Sequence, residues 1–344
     1  MPKRKLFNYK IKAMKISVLC ISFFFLFTIK INAQYIIKGR IVDANTKAGL
    51  MYVNIMVLNH PTGTTSDEHG YFSFRVPKFL ANDTLVISHV AYKTQKIPIN
   101  RINNSMIELY PQAYKLDEIV ISPNNVNNNE IIVNKFKKRK TLLLYSRKPF
   151  NFNGNLFIPY RPAEPTIETI YIANDKKYDK KYKIKEVWLY FRSFNRNPVK
   201  VRLRIFSCKN DSPHKDLLKQ TLIFQVNQNN YLAKVNIEKF NIYFPENGLF
   251  IGSETLIIPE NKSIIPNQQG DTAIVYSPFL YKLPSKNIGD YWFYSKGKWT
   301  KSGYWYWQND IWYMTENKKK KKEKDEIMSK YYLLKPAISI VLTN

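Results

Sequence analysis

Four histidines, His60, His69, His89 and His214, are the chain's imidazoles, and no two stand at the spacing of a few residues that a zinc site requires. Cys208 and His214 alone do not make a ligand set. The adjacent carboxylates Asp67-Glu68 and Asp117-Glu118 are neighbours in sequence. Neighbours on a strand point to opposite faces, so neither pair forms an acid/base couple. The chain has no Gly-x-Ser-x-Gly elbow, no phosphate-cradling glycine loop and no His-Glu-x-x-His. The expectation is a protein with no catalytic residue, no cofactor and no metal.

Two other groups of side chains could bind rather than react. Tyr291 to Tyr313 holds five of the six tryptophans, and Trp299, Trp305, Trp307 and Trp312 are candidates for a platform on which sugar rings stack. Aromatic core and strand-edge packing is the competing assignment for the same residues. Lys318, Lys319, Lys320, Lys321 and Lys322 follow, a run whose self-repulsion predicts an exposed loop and a candidate contact with an anionic surface.

The elements that would position these groups follow from composition and period. The chain has 344 residues, 44% of them hydrophobic, enough to bury a sizeable core, and its length suggests two domains. Residues 1–33 read as a secretory signal peptide: Lys3, Arg4, Lys5, Lys10, Lys12 and Lys15 precede an apolar run from Ile16 to Ile29, and Ile31-Asn32-Ala33 supplies a small-residue cleavage context. An uncleaved membrane anchor is the alternative for that segment. Its removal takes seven basic residues, lowering the formal charge from +28 to +21, and leaves Cys208 as the single thiol, with no intramolecular disulfide. Cys208 follows Ile205-Phe206 and is expected as a structural, partly buried thiol. The lysines are dispersed, and export leads away from nucleic acid, so no nucleic-acid partner is expected.

After the leader the apolar period is two. Val53, Ile55 and Val57 alternate with Asn54 and Met56, and Phe72, Phe74 and Val76 with Ser73 and Arg75, with turns at Pro61-Thr62-Gly63, Asp67 to Gly70 and Asn82-Asp83. Residues 35–122 are thus expected to form an all-β sandwich. Gly39-Arg40-Ile41-Val42-Asp43, Val53 to Val57, the run from Gly63 to Phe74, and Leu85 to Tyr92 together resemble the carboxypeptidase-like regulatory domain of exported Bacteroidetes-type proteins. Leu116 to Ile121 looks like the junction that follows this domain in surface transporters. The resemblance implies a prealbumin-like β-sandwich, related to the accessory and not the catalytic part of carboxypeptidases. Gly70 and Asp67 are expected to shape a turn, with Asp67 bonding backbone amides.

Residues 123–165 read as a linker with a short basic helix between Asn134 and Tyr145, and too few residues follow for a transporter barrel. From 166 to 344 strands return. Val199, Val201, Leu203 and Ile205 alternate with Lys200, Arg202 and Arg204, the pattern of a sheet with one wet face. This part resembles a jelly-roll-like β-sandwich. The functional expectation is an exported, non-catalytic binding or scaffold protein of the periplasm, outer membrane or cell surface, with glycans or envelope proteins as partners. A second reading is an accessory component of a carbohydrate-active or peptidase system, or a partner in a multiprotein uptake system.

Overall fold

A computed structural model describes residues 34–102, 104–112, 130–136, 164–174, 178, 182–193, 195–227, 232–266, 272–285, 287, 289–308, 311–315 and 333–344. Among these the regular structure is strand, with four single-turn 3₁₀ segments between strands. Residues 1–33, Leu116 to Ile121 and Lys318 to Lys322 lie outside the described residues.

Two sandwiches stack to make four layers. The first layer joins Tyr71–Pro77, Gln34–Asp43 and Ser105–Leu109, the last two running parallel. The second joins Gly63–Thr65, Asn54–Val57, Thr84–Ser88 and Gln95–Pro98, all antiparallel. Alternation sends Ile37 and Ile41 from one layer, and Val53, Ile55, Val57, Leu85 and Ile87 from the other, into a single core. The Asp67 turn forms as the sequence implies: its Oδ1 accepts hydrogen bonds from the amides of His69 and Tyr71 at 2.8 and 2.9 Å, and Gly70 sits at φ +83°. A methyl at Gly70 would fall 2.2 Å from the Ile41 carbonyl oxygen. Gly70→Ala is therefore expected to destabilise the chain by about 1–3 kcal/mol, read as a lower denaturation midpoint at unchanged slope.

The third layer joins Ser212–Asp216, Val199–Lys209, Leu249–Thr255, Thr166–Ile172, Tyr291–Ser295 and Lys298–Lys301. The fourth joins Leu232–Asn236, Lys183–Arg192, Ile338–Thr343 and Ile131–Val133. Val201, Leu203, Ile205, Ile251 and Ile170 meet Val187, Leu189, Phe191, Ile338 and Ile340 in the core between these two layers. Ile131–Val133, inside the stretch read as a linker, pairs antiparallel with Ile340 to Leu342. A three-residue apolar run between Glu130 and Asn134 carries no readable period, and only its distant partner makes it a strand. Asn134 to Phe136 follow it outside helix, and 137–145 are outside the described residues.

The buried junction and the candidate binding surfaces

The outward side of the third layer is not the wet face that the Lys200, Arg202, Arg204 alternation suggests. Arg202 is fully buried, and so is Glu254, its cross-strand neighbour. The reason is non-local: the second layer packs upon them. Met56 and Val86 point away from their own core, whose inward positions are Ile55, Val57, Leu85 and Ile87, yet they are 0% and 1% exposed. The Lys296-Gly297 turn meets the same region, with the Asn59 amide donating to the Lys296 carbonyl at 3.0 Å and Gly297 set against Leu58 and Val86.

Charge fills the middle of this junction. Arg202 NH1 lies 3.3 and 3.2 Å from the two carboxylate oxygens of Glu254, while NH2 donates to the Tyr52 carbonyl of the first domain. Asn54 Nδ2, also from the first domain, donates to Glu254 Oε1. Arg204 reaches Glu254 and, through Nε at 2.7 Å, Asp216. Burial by itself would raise the Glu254 carboxyl, but Arg202 and Arg204 more than offset it and hold the group down at about 2. A carboxylate so fixed in its charged state is a structural anion, not a proton donor at neutral pH.

At the rim, Lys200 Nζ donates to the Tyr52 hydroxyl and to Glu68, both at 2.8 Å, and to Glu260 at 3.2 Å. The hydrogen bond to Glu68 is the main cause that raises the lysine above its ordinary value. The Thr65 hydroxyl accepts from the Ile257 amide at 3.0 Å, and Tyr52 packs with Leu256 and Ile258. His89 is half-buried between the domains, its Nε2 3.0 Å from the Thr221 hydroxyl. Burial, aided by Arg202, depresses it to about 3, so it is neutral at ordinary pH.

The candidate tryptophans fall into two places. Trp299 lies half-buried on the third layer, edge-on to Phe206 at 5.1 Å and to Tyr294 at 5.3 Å, in a cluster that also holds Trp292, Phe250 and Cys208. Burial pushes the Cys208 thiol up, away from thiolate chemistry. Trp305, Trp307 and Trp312 belong to a separate hairpin, Tyr304–Gln308 with Ile311–Thr315, whose register sets Trp307 opposite Trp312 and Trp305 opposite Met314. The structure thus brings three of the four to one hairpin and leaves Trp299 in packing. The residues that sequence reasoning missed are Arg202, Glu254 and His89, whose surroundings depend on partners more than 100 positions away.

Among the described residues no group of three or more His, Cys, Asp or Glu could hold a metal ion, and no helix is long and apolar enough to cross a membrane. His60 lies beside Asp83, 3.5 Å away, at the surface of the first domain.

A search of curated proteins finds no match. The family model of the CarboxypepD_reg-like domain matches residues 37–121, a span that contains both layers of the first sandwich and the Asp67 turn. The family is a non-catalytic accessory domain with a β-sandwich fold, and the first of this chain's two stacked sandwiches is a CarboxypepD_reg-like domain.

Proposed function

We propose that the chain is an exported, non-catalytic binding and scaffold protein of the cell envelope or surface. The observation that supports this most is the use to which ionisable groups are put at the junction. Arg202 and Glu254, paired with each other inside the third layer and braced there by Arg204 and Asp216, each make a hydrogen bond with the first sandwich, Arg202 to the Tyr52 carbonyl and Glu254 from Asn54, and Glu254 is held charged. An accessory domain fastened in this way is part of a rigid body that presents surfaces, in keeping with the leader-like sequence of residues 1–33.

Fractionation of cells producing the full chain tests this reading. The protein is expected in the envelope or the medium, with residues 1–33 removed or embedded in membrane. Recovery from the soluble cytoplasm with that segment intact would contradict it. For the glycan part of the reading, the pair Trp305→Ala and Trp307→Ala is expected to weaken retention on acidic or neutral glycan columns about tenfold or more, because buried aromatic contacts dominate such binding. Unchanged retention by the folded variant would remove Trp305 and Trp307 from the binding surface.

A further inference from the structure

The outermost layer of the first domain has an outward face that is covered at its Val42 end and open from Ile36 to Lys38. Along Gln34–Asp43, Ile37 and Ile41 enter the core, which turns Ile36, Lys38 and Arg40 outward. Cross-strand neighbours complete the face: Arg75 stands opposite Ile36, Ser73 opposite Lys38, and both Tyr71 and Met106 opposite Arg40. Ile36, Tyr71 and Met106 are 59%, 53% and 63% exposed, and Phe79, just past the edge strand, is 80% exposed. Ile36, Tyr71 and Met106, large apolar side chains gathered on one side, mark a contact surface, and Phe79 stands at its rim, edge-on to His60 at 6.3 Å.

The polar part of the face is cationic. Lys38, Arg75 and Lys78 are exposed, and none has a carboxylate partner among the described residues. Arg40 is stacked over the Tyr71 ring at 5.0 Å, and a shallow cleft of about 420 Å³ lies between Lys38, Arg40, Tyr71 and Met106. The nearby carboxylates are engaged, Glu108 by Lys47 at 2.6 Å and Asp83 beside His60. A second copy of the chain would bring like charges together here, which disfavours self-association and favours an anionic, partly apolar occupant.

Where the chain enters narrows the choice. Gln34 pairs with Pro77, immediately before Lys78 and Phe79. Residues 1–33, with seven basic residues, no acidic ones and the apolar run Ile16 to Ile29, join the domain at that same edge. The part of the sequence suited to a membrane thus meets the fold beside the exposed Phe79 and beside cations that have no carboxylate partner among the described residues.

We propose that this face seats the protein on an anionic lipid surface. Phe79, Ile36 and Met106 enter the headgroup region, while Lys38, Arg75 and Lys78 lie against lipid phosphates. The proposal rests on the envelope reading for where the chain resides, but its test uses purified protein.

Residues 34–344, which contain every residue of both cores, are mixed with vesicles of phosphatidylglycerol and phosphatidylcholine in equal parts, and with vesicles of phosphatidylcholine alone, and are then sedimented. Binding is expected to the anionic vesicles, falling steeply with salt, and to be far weaker for the neutral ones. Each surface cation contributes roughly fivefold, so the triple variant Lys38→Gln, Arg75→Gln, Lys78→Gln is expected to bind about a hundredfold more weakly. Phe79→Ser is expected to weaken binding at all salt concentrations, because its contribution is apolar. All four substituted positions are exposed, and unchanged thermal melting of the variants confirms that they fold. Equal binding by the triple variant would overturn the proposal. Capture on an immobilised acidic polypeptide without vesicle binding would overturn it in favour of an acidic protein partner. Either result would leave the envelope reading to stand or fall on its own fractionation experiment.

Discussion

Arg202→Ala is expected to cost about 3–5 kcal/mol and to lower the melting temperature by about 10 °C. The substitution strands the buried Glu254 with Arg204 as its remaining cation and takes the donor from the Tyr52 carbonyl across the junction. Glu254 keeps Arg204 and Asn54, but removing one partner of a buried pair is far more destabilising than the pair is stabilising. The first domain is expected to loosen from the third layer, so calorimetry of the variant should resolve two transitions where the parent shows one. The double variant Arg202→Met, Glu254→Leu removes both charges together, while Arg204 keeps Asp216 at 2.7 Å. It is expected to recover about half or more of the lost stability. If the single variant melts like the parent, the ion pair does not hold the junction.

Acid should open the same junction, with the half-buried His89 and the buried Glu164 and Glu254 shaping the pH profile. Burial depresses His89 from 6.5 to about 3. The unfolded chain therefore binds the extra proton first, and stability falls as pH drops from about 6.5 towards 3. Glu164, raised to about 7 by burial, acts in the opposite sense. Its protonated form is favoured in the fold, so its contribution is full below the unfolded value near 4.5 and is lost as pH rises through 7. Between pH 6.5 and 4.5 these two effects largely oppose each other. Below about 4.5 Glu164 is protonated in both states and gives no further gain. Glu254, held at about 2, then joins His89 in losing stability, because its charged form is the one the fold favours. The profile is expected to be shallow above pH 4.5 and steep beneath it, with a loss from His89 on the order of 4 kcal/mol by pH 3. Denaturant titrations at half-unit pH steps check this, and His89→Gln should flatten the acid limb. A variant with an unchanged acid limb would remove His89 from the account.

How much of this the sequence reveals depends on how local the cause is. The Asp67 turn is legible because donor and acceptor lie within four positions and Gly70 supplies the positive φ. The strands are legible from alternation: Val199 to Ile205 pairs along the sheet as its period implies. The environment of the alternate residues is not legible. Lys200, Arg202 and Arg204 read as solvent-facing because charged side chains usually are, and only the docking of Tyr52 and Asn54 makes Arg202 an interior residue. Met56 carries the same lesson in reverse: placed on the polar side of its strand by the alternation, it is buried by the neighbouring layer. For the binding surfaces, the tryptophan-rich run is plain in the sequence, but Trp299 is divided from Trp305, Trp307 and Trp312 by the strand ends and not by anything in its own identity.

Tyr52 and Asn54 of the first sandwich, bonded to Arg202 and Glu254 of the second, fasten the two into one four-layer body. Spin labels on cysteines placed at the exposed Arg101 of the first domain and the exposed Glu238 of the second, in a Cys208→Ser background, report that geometry as a distance distribution from pulsed electron resonance. A single narrow distance is expected, broadening when Arg202→Ala is added. A broad distribution in the parent protein would contradict the docked arrangement.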